Sequence, residues 1–418
     1  MEKRRTRGKI ASLIAAVLLV ALMAVPVSAA NAYTPVGGTT TTFNKYLVVD
    51  NDANIPAAEF AFTIAAGDAV TPSSGEVEVY AGLNPEAVVI GSAGKTAFTA
   101  GQATTPGEVG DNIVNSTDKK YAMNPVTVDF KGVSFPNPGV YRYIITEIAQ
   151  VDGSAYTNDT ESTRTIDVYV EDADGSGTLG IQGYVMYLGT VANAPKTTAT
   201  DPGATPNGAE PENATKSDKY INVYETYDLT AGKQVTGNQG SKDKYFKFNI
   251  KVEGDEIKDN NLYTVETVGY DTTPSKTAST TYTTLTQPGD EDGIATNGLQ
   301  VKGSSLKVGV EVYLKHNQYI KIDGLPKGAT YTVTEAAEDY TSTGSSTSKT
   351  VSYGSISATN DTTGTINADK VTGFVNDKGG IIPTGILLSA TPWIIIGVVV
   401  VAGIAFFAVR SKKKYDEE

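Results

Sequence analysis

The chain of 418 residues repeats itself. TTFNKYLVVD, followed by AEFAFTI, corresponds to YDLTAGKQVTG, followed by KYFKFNI at 227–250, and GVYRYIITEIAQ corresponds to GATYTVTEAAED. Lys45 precedes Glu147 by 102 residues, and Lys233 precedes Glu335 by the same interval. An interval preserved over that length implies the same succession of elements twice. The chain is therefore read as two copies of one domain, joined near residues 225–230.

Valine, isoleucine, tyrosine and threonine recur at a period near two in NKYLVVD, EFAFTIAA, VYRYIITEI, TIDVYVED, YFKFNIKV, LKVGVEVYLK and QYIKIDG, with Gly, Asn, Asp and Pro clusters between them. Such runs read as strands, and nothing between the two chain ends sustains a 3.6-residue period. The expected fold is all-β: two tandem immunoglobulin-like β-sandwich domains, at 31–226 and 227–378. Each copy closes on a strand carrying an asparagine, Asn222 in YINVYETY and Asn376 in GFVNDK. The step from glutamate to asparagine is longer in the first copy. The excess is placed in the Pro-, Ala- and Thr-rich segment beginning VANAPK, read as an exposed loop. Asn193 fits the spacing of the second copy better, whereas Asn222 has the matching strand context and is preferred.

The two ends carry targeting signals. MEKRRTRGK, the apolar IASLIAAVLLVALMAV and the small residues around Ala29 and Ala30 form an expected signal peptide over 1–30. ILLSATPWIIIGVVVVAGIAFFAV (386–409) has no charge and precedes the basic tail 410–418, so it is expected to span a membrane with that tail inside. The segment between is expected to be exported. Its net charge is more negative than the −13 of the whole chain, because basic clusters sit at both ends. That argues against nucleic acid as a partner. There is no cysteine, so an exported body would need some bond other than a disulfide for covalent reinforcement.

In KYLVVD, YIITE and YINVYETYDLTAGKQVTGNQG, and again in YTVTE and GFVNDKGGIIPTG, the sequence resembles the Gram-positive backbone pilins of the streptococcal FctA type, built from immunoglobulin-like domains with internal Lys–Asn isopeptide bonds. The resemblance covers nearly all of the expected exported body. It implies bonds from Lys45 to Asn222 and from Lys233 to Asn376, with Glu147 and Glu335 as the catalytic carboxylates. The chemistry accounts for the residue types. An amine attacks an amide only as the neutral base, so the lysine must be buried where desolvation lowers its pKa. The same burial keeps the glutamate protonated, able to polarise the amide carbonyl and shuttle protons as ammonia leaves. Each reaction happens once per chain, so the protein is not expected to be an enzyme.

Pro383-Thr384-Gly385, within the linker 379–385 ahead of the span, has the layout of a sortase signal. It departs from the common Leu-Pro-any-Thr-Gly pattern because the proline directly precedes the threonine. Sortase would join Thr384 to an amine: a lysine of an identical subunit in a pilus, or peptidoglycan in a wall anchor. In such pilins the acceptor lies near the end of the first domain, which nominates Lys216, then Lys219 and Lys196. The expected location is the cell wall and surface, with sortase, identical subunits, peptidoglycan and a host surface as partners. A non-polymerising wall-anchored adhesin is the alternative, and a β-sandwich hydrolase is a third class for which no paired acids are displayed. Neither a cofactor nor a metal is expected. GSGTLG (175–180) is flanked by strand-like runs and reads as a hairpin turn instead of a nucleotide loop. His316 is the lone histidine, which leaves little material for catalytic triads or zinc.

Overall fold

The computed structural model describes residues 33–35, 38–110, 112–172, 179–195, 211, 214–269, 299–336, 338–342, 351–353, 356–358 and 362–380. The expected signal peptide, sortase motif and membrane span lie outside the described residues. Among the described residues, no helix is long and apolar enough to cross a membrane.

The fold is all-β. The principal strands are β1 (Thr40–Asp50), β2 (Ala58–Ala66), β3 (Lys119–Asp129), β4 (Gly139–Glu147), β5 (Thr163–Glu171), β6 (Gly180–Leu188) and β7 (Lys219–Tyr224), then β8 (Thr226–Thr236), β9 (Phe246–Glu253), β10 (Leu262–Gly269), β11 (Val310–Leu314), β12 (Gln318–Pro326), β13 (Thr330–Glu335) and β14 (Lys370–Asp377). In the first half one sheet runs β6-β5-β4-β2 and the other β7-β1-β3, each with short edge strands. In the second half the sheets run β10-β12-β8-β14 and β11-β9-β13, again with short edges. Each pair of sheets encloses its own core, one drawn from residues 43–224 and the other from 229–374.

The period of two explains the cores and also exposes an anomaly. Phe43, Leu47 and Val49 of β1 face the first core, as do Tyr141, Tyr143 and Ile145 of β4 and Tyr220 and Tyr224 of β7. Alternation places Lys45, Glu147 and Asn222 in those same inward series. The second half repeats this arrangement. Leu229, Ala231 and Val235 of β8, Tyr331 and Val333 of β13, and Phe374 of β14 face the core, in phase with Lys233, Glu335 and Asn376. Six polar side chains thus occupy positions that the pattern reserves for apolar ones.

Two differences from the sequence reading stand out. The extra length of the first copy is not wholly a loop, because β6 extends one sheet by pairing antiparallel with β5, and no counterpart of β6 is found among the described residues of the second half. The segment after it is pinned: Arg142, in a buried ion pair with Asp167, also donates to the Val191 carbonyl, and Val77 N–H donates to that of Pro195. In LKVGVEVYLK, the strand begins only at Val310, because Gly303–Val308 forms a short helix, α1. The turn of GSGTLG falls mostly outside the described residues, although Glu171 of β5 faces Gly180 of β6, as a hairpin requires.

Glu225 alone separates β7 from β8, and polar contacts tie the halves there. Thr226 Oγ1 donates to Asp50 Oδ2 (2.9 Å), Ala57 N–H to Asn261 Oδ1 (2.9 Å) and Asn54 Nδ2 to Thr264 Oγ1 (3.2 Å). Gly324 has φ +72°, and a Cβ there would stand 2.7 Å from the Ala53 Cα. Glycine suits both the left-handed backbone and this close approach.

Candidate functional site: two buried Lys–Glu–Asn clusters

The first cluster joins one residue from each of three strands. Lys45 on β1 and Asn222 on β7 belong to one sheet, and Glu147, the last residue of β4, reaches them from the facing sheet. Lys45 and Asn222 are 0% exposed and Glu147 is 4% exposed. The lysine Nζ lies 2.7 Å and 2.9 Å from the two Glu147 oxygens and donates to Asn222 Oδ1 in close contact. Beneath it is the Phe60 ring, whose centroid is 4.4 Å from Nζ.

The second cluster repeats the plan with Lys233 on β8, Asn376 on β14 and Glu335 at the end of β13. Lys233 Nζ lies 2.5 Å from Glu335 Oε1 and 4.3 Å from the centroid of Phe246. Asn376 Nδ2 donates to Glu335 Oε1 at 3.0 Å. Lys233 and Asn376 are 0% exposed, and neither Glu335 Oε2 nor Asn376 Oδ1 has a hydrogen-bond partner.

The electrostatics follow from burial. Desolvation pushes both lysines down to about 8, although the adjacent glutamate works in the opposite direction. Desolvation also raises Glu147 and Glu335 above the usual carboxylate range, again against the pull of the lysine. Burial thus narrows the gap between amine and carboxyl, and one proton transfer turns an ion pair into a neutral amine beside a carboxylic acid. A neutral amine in contact with an amide, with an acid across from it, is equipped for amide exchange with loss of ammonia.

Asn193 is exposed and Asn222 is the asparagine against Lys45. Lys216 is half-buried and pairs with Tyr187 in an isolated bridge. It lines a groove of about 520 Å³ together with Lys219, Asp159 and Arg164. Lys219 is buried and donates to the Gly110 carbonyl at 3.1 Å; Lys196, Pro383, Thr384 and Gly385 lie outside the described residues. His316 Nδ1 accepts the Val235 N–H at 3.0 Å, a turn contact. Asp52, Asp228 and Asp323 converge at the junction, but the Lys321 ammonium sits among them, 2.6 Å from Asp228, 2.6 Å from Asp323 and 3.8 Å from Asp52.

Several neighbours escaped the sequence reading. Phe60 and Phe246 occupy equivalent places in EFAF and YFKF, so the repeat carried their signal. Arg164 stacks on Tyr220 and pairs with Asp159 at 3.0 Å, and Asp159 accepts the Ile221 N–H at 2.9 Å, bracing β7 beside Asn222. Nothing in the local sequence marks those two residues.

A family profile described as "Spy0128-like isopeptide containing domain" matches residues 41–224. Over those residues the chain resembles that family. Residues 227–378 match a "Domain of unknown function (DUF7601)". A curated "Pilin" of Streptococcus pyogenes serotype M1 is 25% identical over 390 residues, covering 91% of this chain and 92% of the relative. The solved major pilin protein T3.2 from Streptococcus pyogenes serotype GAS13637 aligns with TM-score 0.48 and 19% identity, over 83% of this chain and 99% of that one. A second Streptococcus pyogenes major pilin gives TM-score 0.46 and 20% identity, over 82% and 100%. The chain resembles Gram-positive backbone pilins, and the residues that match the isopeptide-domain profile include the Lys45, Glu147 and Asn222 cluster.

Proposed function

We propose that the protein is a structural subunit of a sortase-assembled surface pilus, with two immunoglobulin-like domains, 31–226 and 227–378, each closed by an autocatalytic Lys–Asn isopeptide bond. The observation that carries this reading is the duplicated cluster: a buried lysine and a buried asparagine on neighbouring first and last strands, with a glutamate facing them from the opposite sheet. The neutral Lys45 amine attacks Asn222 Cγ while protonated Glu147 polarises the carbonyl. The Cγ–Nδ2 bond breaks, a lysine proton passes to the departing nitrogen through Glu147, and ammonia leaves. Lys233, Glu335 and Asn376 do the same in the second domain.

Fixing first strand to last suits a fibre under tension, since force entering one end can leave at the other without unzipping the intervening strands. Export by the 1–30 leader, retention by the 386–409 span, and sortase cleavage between Thr384 and Gly385 complete the assembly route to the cell wall. Lys216 is the preferred acceptor on the next subunit because it is half-buried, whereas Lys219, on the same groove, is buried.

Intact mass and peptide mapping of residues 31–384 test the crosslinks. The expected result is two ammonia molecules fewer than the sequence requires, with Lys45–Asn222 and Lys233–Asn376 peptides; a full mass overturns the reading. Polymerisation is tested by Lys216→Arg in cells carrying the cognate sortase, where the ladder of high-mass species should collapse to monomer. An unchanged ladder would exclude Lys216.

A further inference from the structure

The Asn222 carboxamide is gripped at its nitrogen end. Asn222 Nδ2 donates to Asn158 Oδ1 at 3.2 Å, and that oxygen also accepts the backbone N–H of Gln150 at 2.8 Å. Asn158 Nδ2 in turn donates to the Gln150 carbonyl at 3.2 Å. The two ends of a carboxamide are alike in shape, whereas a backbone N–H can only donate and a backbone carbonyl can only accept. The Gln150 backbone therefore dictates which end of Asn158 is oxygen. That oxygen then dictates which end of Asn222 is nitrogen, leaving Asn222 Oδ1 turned toward Lys45 and Glu147.

We propose that Asn158 is a positioning residue for the first crosslink, holding the Asn222 carboxamide with its carbonyl toward the lysine–glutamate pair and its departing nitrogen toward Asn158. The proposal rests on the reading that Lys45 and Asn222 react. As the amine attacks Cγ, negative charge develops on Oδ1, so the carbonyl has to lie where the Glu147 proton can reach it. The flipped amide would present an NH2 group there. The two flips differ little in shape, so an unclamped side chain would spend time in the unproductive one. Asn158 neither gains nor loses a proton: its oxygen accepts an N–H from the amide before cleavage and from ammonia after it.

The second domain supplies the contrast. There Asn376 Nδ2 donates to Glu335, Asn376 Oδ1 has no hydrogen-bond partner, and among the described residues no side-chain amide grips the asparagine. Substitution of Asn158 should consequently act on one crosslink and spare the other.

The test is a time course of cell-free synthesis, quenched, digested and quantified for both crosslinked peptides. Asn158→Ala is expected to slow formation of Lys45–Asn222 by on the order of ten-fold to a hundred-fold, with Lys233–Asn376 unchanged. Asn158→Asp, which keeps an acceptor for both N–H groups, should recover most of the rate. The non-crosslinking Glu147→Ala protein is compared with Glu147→Ala/Asn158→Ala by thermal melting, and similar melts assign the effect to the reaction instead of the fold. Should the alanine variant not fold, Asn158→Leu, of similar volume but without an acceptor, repeats the comparison against Asn158→Asp. Formation of the first crosslink at the wild-type rate in a variant lacking the acceptor overturns the proposal. Failure of the wild-type chain to form that crosslink would instead overturn the reading on which the proposal rests.

Discussion

Lys45 and Asn222 stand two positions apart in register on parallel neighbouring strands: Lys45 faces Tyr220 across the β1–β7 pair, and Asn222 faces Leu47. Lys233 and Asn376 show the same stagger, with Lys233 opposite Phe374 and Asn376 opposite Val235. A stagger of two keeps both side chains on one face of the sheet, and the parallel direction places them diagonally adjacent. In each copy an aromatic ring lies opposite the lysine, and the glutamate comes from the other sheet.

The two clusters should react independently, because each draws on its own core. Glu147→Ala is expected to retain one ammonia and lose only the Lys45–Asn222 peptide, and Glu335→Ala to lose only Lys233–Asn376. Mass spectrometry of the two single variants checks this. Loss of both crosslinks in either variant would show that the domains do not act separately.

Crosslinking should follow a bell-shaped pH profile. The reactive form needs a neutral lysine and a protonated glutamate, the same proton count as the ion pair. Acid adds a proton and removes the nucleophile, and alkali takes one away and removes the acid. Since burial lowers Lys45 to about 8 and raises Glu147, the alkaline limb should begin near 8, well below the range of a free lysine, and the acid limb above the ordinary carboxylate range. The check is the rate of first-domain crosslinking against pH during refolding of freshly made, unreacted chain. A rate that climbed steadily to pH 11 would rule out an acid role for Glu147.

Two variants that both lack the first crosslink should differ in stability. Asn222→Ala leaves the Lys45–Glu147 pair intact, and by analogy with loop closure through a disulfide, loss of the tie costs about 5 kcal/mol. Glu147→Ala also strands a lysine that is 0% exposed, adding about 3 kcal/mol at neutral pH. Urea unfolding should place Glu147→Ala clearly below Asn222→Ala. Equal midpoints would mean that the ion pair contributes nothing.

Lys321 should hold the junction electrostatically. Removing it by Lys321→Ala leaves Asp228, Asp52 and the 1% exposed Asp323 facing one another. The partly exposed ammonium limits the loss to about 2 kcal/mol, measured by urea unfolding. Burial pushes Asp323 up to about 7. A raised folded-state pKa means that the folded protein binds the extra proton between about 4 and 7. Lys321 itself holds Asp323 down, so in Lys321→Ala the carboxyl titrates above 7, and the penalty should be least below pH 7, where Asp323 is protonated with or without the lysine, and grow as the pH rises above it.

Much of this organisation was legible in the sequence. Strand character came from side-chain alternation, and the pairing of Lys45 with Glu147 and of Lys233 with Glu335 came from an interval that a repeated topology preserves. The phase of the alternation held a further signal, since Lys45 and Lys233 fall in series whose other members are apolar. Placement of the extra first-copy length was only partly readable, because β6 and the segment after it both contribute to the same count of residues.

The sequence by itself determined the all-β class, the duplication and the residue types brought to each core, because those depend on local periodicity and on intervals along one chain. Only the tertiary structure decided that Asn222 meets Lys45 while Asn193 stays at the surface, that Asn158 grips the amide, and that Lys216 is left half-buried while Lys219 is buried. These depend on which distant strands become neighbours, and on which backbone groups remain to orient a side chain once they have. Neither is encoded in any short stretch of the chain.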